Sequence, residues 1–486
     1  MRRAAALAAV SFLCAACGGV RPSTASGPGM PPDALEAFRY VVRFDPSLET
    51  LDVTVCFRGE APERLYAGEA SAAARLLRAE VRTAGAAVQE LAREGRSIWL
   101  PRLPRGGCVG YVSEIDGRGR RWWGRPLGDA RLLKAASWLW RPSPRRDGAV
   151  GTIRFEPPDA MSVAVPWPAA EREGEYLLDE RAFGFLTHTA FGRLERQVVA
   201  VPGGELDVVR LPGRLTIDAP SIARWLETVG TAVADIHGRF PAPRAMVLLV
   251  PAAGGDRPIM HGNVGRGGGA SVMLVVNSDA TLEDLLDEWV TPHELSHLAM
   301  PFVRREDAWL SEGVATYYQE VLRARAGTRE PVDAWRGLDS GFESGRNGGT
   351  GRPLREESRT MFQTRSFRRV YWSGTALALL YDVSLRRRGG EVGSLDVALT
   401  RLGRCCGQRN EAWSAAGVVR QLDRITGEPV FSGLARTHLP SREFPDVESL
   451  YGWLGLARGP DGRLVLVDGA PGARVRDAIM SASRAE

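Results

Sequence analysis

Residues 281–302 read TLEDLLDEWVTPHELSHLAMPF and contain the pattern His293-Glu294-Leu295-Ser296-His297. Residues four apart lie on one face of a helix, so both imidazoles can reach the same metal ion. Glu294 lies beside that ion, where it can take a proton from water. Histidine occurs only 6 times in 486 residues, which favours a metal site over the alternative of two unrelated histidines beside an exposed glutamate. Pro292 is expected as the first residue of this helix.

A catalytic zinc site usually has three protein ligands and one open position, so a third ligand is needed. The stretch 308–318, AWLSEGVATYY, supplies Glu312 fifteen positions after His297. Its neighbours are apolar, which predicts partial burial, and a buried carboxylate needs a partner such as a metal. The alternative is a solvated glutamate on a helix. The sequence therefore predicts a site for Zn²⁺ formed by His293, His297 and Glu312.

The segments HELSH and WLSEG together resemble the gluzincins, the zinc peptidases related to thermolysin and aminopeptidase N. The chain is most similar to the glycyl-aminopeptidase family, a likeness that continues in Tyr317-Tyr318, in RVYWSGTALALLYD at 369–382 and in SLD at 394–396. It covers about residues 205–435. The resemblance implies Glu294 as the general base and Tyr371 as the hydroxyl that stabilises the oxyanion. A tyrosine buried in the core beside Trp372 is the alternative for Tyr371.

The chain also departs from this family at one position. Aminopeptidases of this clan place an acidic residue on the strand before the zinc helix, to hold the α-amine of the substrate. The matching residues 262–271, GNVGRGGGAS, contain no carboxylate and contain Arg266, which would attract a carboxylate instead. Gly269, Ala270 and Ser271 are expected to begin an exposed edge strand that pairs with a peptide, or else to lie in a flexible loop.

The pattern of apolar residues predicts two folded domains. Short alternating runs dominate residues 36–200 and predict a β-sandwich. Residues 201–435 mix buried strands with helices and then become helical, as expected of a thermolysin-like, gluzincin catalytic domain. The short segment 436–486 suggests a hairpin, in effect a truncated PDZ-like element. The predicted class is therefore α+β.

Composition excludes one class of function. The apolar fraction of 44% and charged fraction of 25% are those of a globular protein. The net charge is +5, but the basic residues are almost all arginines spread along the chain, and a nucleic-acid interface needs a clustered patch. No nucleic-acid partner is predicted.

The N-terminus predicts export. Residues 1–17 have a basic start, a short apolar run and a small-residue ending before Cys17, as in a bacterial lipoprotein signal peptide. Plain secretion is the alternative. Residues 18–35 are rich in Gly, Pro and Ser and predict a tether, so the protein is expected on the cell envelope, held to the membrane by a lipid on Cys17.

Export makes disulfides available to the remaining cysteines. Cys56 and Cys108 lie in strand-like segments and can form a bridge, with two buried free thiols as the alternative. Cys405 and Cys406 are adjacent and can form a vicinal disulfide.

Together these patterns predict an exported zinc metallopeptidase that hydrolyses peptide bonds. Cleavage at the N-terminus and cleavage within a chain both stay open. The alternative function is a catalytically silent lipoprotein that binds peptides with the same fold.

Overall fold

The described residues between 36 and 192 form the all-β part of the chain, which is built of strands and one short helix. The computed structural model describes residues 36–83, 88–115, 126–144, 148–183, 187–407 and 412–482, so Cys17 and the predicted tether lie outside the described residues. In Thr50–Phe57 every second residue is buried, which is the period of a strand with one face in the core. The elements of this part are β1 Glu36–Arg43, β2 Thr50–Phe57, β3 Arg64–Ala67, α1 Ala70–Arg75, β4 Leu76–Val81, β5 Gln89–Glu90, β6 Arg93–Glu94, β7 Ser97–Trp99, β8 Cys108–Glu114, β9 Pro126–Leu127, β10 Ala130–Lys134, β11 Trp140–Ser143, β12 Val150–Glu156, β13 Ser162–Ala164, β14 Glu175–Leu178 and β15 His188–Gly192.

These strands form three sheets. The largest has the order β14-β12-β1-β2-β8-β4-β5, and two four-stranded sheets have the orders β13-β15-β10-β9 and β11-β3-β7-β6. A shared core of large apolar side chains, among them Tyr40, Trp138 and Phe191, holds the sheets together. Strands β2 and β8 pair so that Cys56 lies opposite Cys108, and the structure joins the two by a disulfide.

A five-stranded sheet in the order β16-β17-β18-β20-β19 follows. Strand β16 begins at Glu195, ahead of the predicted domain start at 201, because residues 195–201 pair with β17. One face of the sheet packs against helices, and the other packs on the all-β part through residues such as Leu132 and Leu248. The elements are β16 Glu195–Val201, β17 Gly204–Arg210, α2 Ala219–Asp235, β18 Arg244–Ala252, β19 Ile259–Gly265 and β20 Ala270–Asn277.

The second half of the chain is helical, as predicted. The elements are α3 Leu282–Asp287, α4 Val290–Ser296, α5 Ala308–Arg325, α6 Pro331–Arg346, α7 Leu354–Thr364, α8 Phe367–Arg388, α9 Leu395–Cys406, α10 Ala415–Thr426, α11 Val430–His438, α12 Tyr451–Leu454, β21 Leu456–Arg458, β22 Leu464–Leu466 and α13 Ala473–Met480. Strands β21 and β22 form an antiparallel hairpin, and Leu464 and Ile479 join the core of the helical half. A β part followed by an α+β part with a helical second half confirms the predicted fold class.

Helices α5 and α8 approach each other closely because glycines meet at their crossing. A Cβ atom on Gly313 would lie 2.3 Å from the Cα atom of Gly374, a distance that real side chains do not reach. This close approach brings the side chains of the two helices into one site.

The predicted vicinal disulfide is present. Cys405 and Cys406, at the end of α9, are joined by a disulfide. Within the described residues, no helix is long and apolar enough to cross a bilayer.

Candidate active site

Helix α4 carries the first metal-ligand candidate and is capped by a buried carboxylate. Glu288 accepts hydrogen bonds from the backbone N–H groups of Val290 and Thr291, which have no partner inside the helix. Burial raises the pKa of Glu288 to about 7. Pro292 is the third residue of α4 and not the first as expected, but its missing N–H still falls within the first turn, where none is needed.

His293, His297 and Glu312 converge on one point. The Nε2 atom of His293 lies 3.3 Å from Oε2 of Glu312, and Nε2 of His297 lies 3.6 Å from the same oxygen. Ligand atoms about 2.0–2.1 Å from a tetrahedral zinc ion are separated by about 3.3–3.4 Å. Among the described residues this is the one group of three His, Cys, Asp or Glu side chains that could hold a metal ion. The three side chains therefore fit zinc.

The charge of Glu312 also supports a metal site. Burial alone would raise the pKa of Glu312, but the neighbouring His297 and His293 hold that pKa well below its usual range. Glu312 is thus an anion at neutral pH, the form that binds a metal.

Glu294 points to the same site from α4. Burial raises the pKa of its carboxyl, and the two histidines oppose that shift. A Cβ atom on Gly262 would lie 2.6 Å from Cγ of Glu294, so strand β19 passes directly over the carboxylate because it has no side chain there. A substrate placed along β19 would lie beside Glu294.

Tyr371 of α8 completes the group. Its ring lies parallel to the ring of His293 with 6.1 Å between centroids. Burial raises the pKa of the phenol well above its ordinary value, and the negative charges of Glu312 and Glu294 raise it further. The hydroxyl therefore stays protonated and can donate a hydrogen bond.

The residues that hold His293 lie outside the motifs recognised in the sequence. Gln319 lies two helical turns after Glu312 on the same face of α5, and its Oε1 is 3.1 Å from Nδ1 of His293. The Nε2 group of Gln319 donates to Glu320, which also accepts from Arg323 at 2.6 Å. Seven-residue spacing from Glu312 is the signal that could have indicated Gln319.

The prediction of an edge strand at Gly269, Ala270 and Ser271 is wrong. Ala270 and Ser271 begin β20, which is paired on both sides, by β18 and by β19, and Gly269 directly precedes it. Gly269 packs against the all-β part, where a Cβ atom would lie 1.9 Å from the carbonyl oxygen of Pro166. The edge of the sheet next to the site is β19 instead.

Arg266, directly after β19, does not lie free. Its guanidinium donates to the carbonyl oxygen of Met300, and burial lowers its pKa to about 10.

A cavity of about 1770 Å³ opens beside the site. Trp289, Phe367 and Tyr371 line it near the metal-ligand candidates, and Glu320 and Arg323 line it farther along α5. Tyr371 is the member of the candidate site that lines this cavity.

Two histidines, a carboxylate, a neighbouring glutamate and a phenol therefore lie together on this fold. Several solved structures have a similar fold. An aminopeptidase N family protein from Idiomarina loihiensis has a TM-score of 0.68 and 15% identity over 86% of this chain and 78% of that chain. An M1 zinc metallopeptidase from Deinococcus radiodurans has a TM-score of 0.50 and 18% identity over 85% of this chain and 95% of that chain.

A mutant of the Deinococcus radiodurans protein, solved with a Tyr-Ser-Ala substrate, has a TM-score of 0.50 and 17% identity over 85% of this chain and 96% of that chain. No protein-family model matches the chain, and no curated protein matches it. At these identities the likeness establishes the fold alone, and at that level the predicted resemblance to the gluzincins is confirmed.

Proposed function

We propose that this protein is a zinc metallopeptidase that hydrolyses peptide bonds with water. The observation that carries the proposal is the set of ligand-atom distances of 3.3 and 3.6 Å among His293, His297 and Glu312, which match a tetrahedral zinc ion. A zinc ion held there would supply Lewis acidity, both to water and to the carbonyl of the substrate.

The remaining chemistry belongs to the side chains. Glu294 accepts a proton from the attacking water and passes it to the leaving amine. Tyr371 donates a hydrogen bond to the oxygen that becomes negative as the carbonyl carbon turns tetrahedral. The position of each group beside the metal-ligand candidates supports these roles.

Aminopeptidase action is the mode that the structural neighbours favour. One neighbour belongs by name to the aminopeptidase N family, and another was solved with a Tyr-Ser-Ala substrate. The sequence of β19 points the other way. It contains no carboxylate that could hold the α-amine of a substrate, and this favours cleavage within a chain.

The test is digestion of a peptide library, half of it N-acetylated, by the zinc-loaded chain and by a Glu294→Gln control. Zinc-dependent cleavage that the control lacks is expected. Cleavage of free N-termini alone would establish an aminopeptidase, and cleavage of blocked peptides would establish internal or C-terminal action. If the zinc-loaded chain cleaves neither set, the proposal fails and peptide binding without catalysis takes its place.

We also propose that the protein is exported and anchored by a lipid on Cys17. The signal-like residues 1–17 support this proposal, and so do the two disulfides, which persist in oxidising compartments. Full-length protein expressed in bacteria should enter the membrane fraction and carry a labelled fatty acid. A Cys17→Ser variant that stays equally membrane-bound would contradict the anchor.

A further inference from the structure

A second cavity, of about 350 Å³, lies between the end of α9 and one side of α10. The disulfide that joins Cys405 to Cys406 forms part of its wall. Trp413 and three polar residues of α10 supply most of the rest. None of these residues lines the cavity beside the metal-ligand candidates, so the two cavities are separate.

The disulfide in this wall adds little to the stability of the fold. In the chain-entropy account, a disulfide stabilises a protein through the loop that it closes in the unfolded chain. Cys56 and Cys108 are 52 residues apart, whereas Cys405 and Cys406 are neighbours, so the second bridge closes almost no loop. Cys405 is also exposed, and exposed disulfides are the ones that react readily with thiols. The position of this disulfide therefore suits a reaction better than it suits stabilisation.

One side of α10 turns polar and positively charged groups towards the disulfide. Arg420 and Arg424 are four residues apart and so lie on the same side of the helix, with Gln421 beside them. The Nε2 group of Gln421 donates to Sγ of Cys405 at 3.5 Å, and Nη1 of Arg424 donates to Oε1 of Gln421 at 3.0 Å. Of the lining residues within the described part of the chain, two are arginines and none is a carboxylate. The cavity therefore attracts anions.

We propose that Cys405 and Cys406 form a redox-active site that exchanges with a small thiol carrying a carboxylate. The disulfide is the group that reacts with the thiol, and the guanidinium groups of Arg420 and Arg424 are suited to bind the carboxylate. A cavity of about 350 Å³ has the size of a site for a small molecule. The proposal does not depend on peptidase activity, because the two cavities share no lining residue.

The exchange takes two steps. The thiolate of one ligand molecule attacks Sγ of Cys405, so a bond forms between the ligand sulfur and Cys405 while the bond between the two cysteines breaks. The electron pair of the broken bond stays on Cys406, which takes up a proton. The thiolate of a second ligand molecule then attacks the ligand sulfur, and Cys405 leaves as a thiolate that accepts the hydrogen bond from Gln421. Two ligand thiols are thereby oxidised to one disulfide, and the disulfide of the protein is reduced to two thiols.

The experiment compares three small thiols as reductants of the purified full-length chain: mercaptoacetate, which is negative, 2-mercaptoethanol, which is neutral, and cysteamine, which is positive. Differential alkylation and mass spectrometry follow each cysteine separately. Each rate is divided by the rate of the same thiol with a neutral small disulfide, which cancels differences in thiol pKa and nucleophilicity. At low ionic strength mercaptoacetate should exceed cysteamine by about tenfold in this ratio, and high salt should reduce the difference.

Substitution of the two arginines tests the origin of this preference. The double variant Arg420→Gln, Arg424→Gln should lose most of it, and the double variant Arg420→Lys, Arg424→Lys should keep it. Arg436→Gln on α11 is the matched control, since Arg436 is exposed and lies outside the cavity. The control should behave as the wild type does.

The disulfide between Cys56 and Cys108 is a control within the same molecule. It should be reduced more slowly than the bridge between Cys405 and Cys406, and the arginine variants should not change its rate. Equal rates for the two bridges would overturn the redox-active site. Equal normalised rates for the three thiols, or an unchanged preference in the double glutamine variant, would overturn recognition of the carboxylate. None of these measurements requires zinc or a peptide substrate, so their failure and the failure of the proposed peptidase activity are distinguishable.

Discussion

Replacing Gln319 by leucine tests whether a buried amide orients the first histidine. Metal coordination through Nε2 of His293 leaves the ring proton on Nδ1, which then donates to Gln319 Oε1, 3.1 Å away. The amide is itself fixed, since its Nε2 donates to Glu320 at 3.1 Å and Arg323 holds that carboxylate. Leucine has a similar volume but no acceptor, so it leaves the Nδ1–H group of His293 buried without a partner.

The size of the effect can be calculated in two ways. A buried donor without a partner costs about 1–3 kcal/mol. Loss of an outer-shell hydrogen bond to a ligating histidine typically weakens metal binding about 10–100-fold, which corresponds to about 1.4–2.7 kcal/mol. The two ranges overlap. Gln319→Leu should therefore raise the Kd for zinc by one to two orders of magnitude.

The assay is competition for zinc with a chromophoric chelator at neutral pH, together with thermal unfolding of the metal-free chain. Gln421→Leu on α10 is the matched control and should bind zinc as well as the wild type. A Gln319→Leu variant that binds zinc with unchanged affinity would refute the reasoning, because the hydrogen bond would then not position His293.

Three further predictions follow from the site and from one buried histidine. Glu312→Ala removes a ligand, so metal content by atomic emission and peptidase activity should both be lost, whereas activity with zinc still bound would contradict its role. Tyr371→Phe should retain zinc and lower kcat about 10²–10³-fold, as loss of an oxyanion donor does, and an unchanged kcat would return Tyr371 to a packing role. Burial lowers the pKa of His188 from 6.5 to about 4, so on acidification the unfolded chain binds this proton at a higher pH than the folded chain does. As the pH falls from about 6.5 to about 4, protonation of His188 in the unfolded chain should therefore lower the free energy of unfolding by about 3 kcal/mol. Chemical denaturation across that range should show a shallower fall in His188→Asn, and identical slopes would contradict the prediction.

Local sequence predicts the parts of the site that depend on helical periodicity. His293, Glu294 and His297 share one short segment, and their spacing alone places both rings on one face. The partial burial of Glu312 could also be predicted, from Trp309 and Leu310 beside it. The resemblance to the gluzincins supplied the role expected of Tyr371, which periodicity cannot give.

Strand order could not be predicted in the same way. Residues 259–265 and 270–277 are neighbours in sequence, and either could have been the outer strand. Strand β20 takes the inner position because it pairs in parallel with β18, which is about 25 residues earlier, while β19 turns back along its other side. Such pairing depends on contacts between distant segments, so Gly269 looked like an exposed edge when it is packed against Pro166.

The spacing of two helices determines whether the local motif becomes a site. Glu312 and Tyr371 lie on α5 and α8, and these helices touch where a Cβ atom on Gly374 would lie 1.9 Å from the carbonyl oxygen of Trp309. Larger residues there would move the helices apart and carry Tyr371 of α8 away from Glu312 of α5. The buried hydrogen bond from Tyr317 to Asp382 ties α5 to α8 farther along, and the bond from Tyr318 to Asp396 ties α5 to α9. The ligand geometry is therefore a property of how the helical half packs, and the HExxH segment supplies only two of the atoms that the packing brings together.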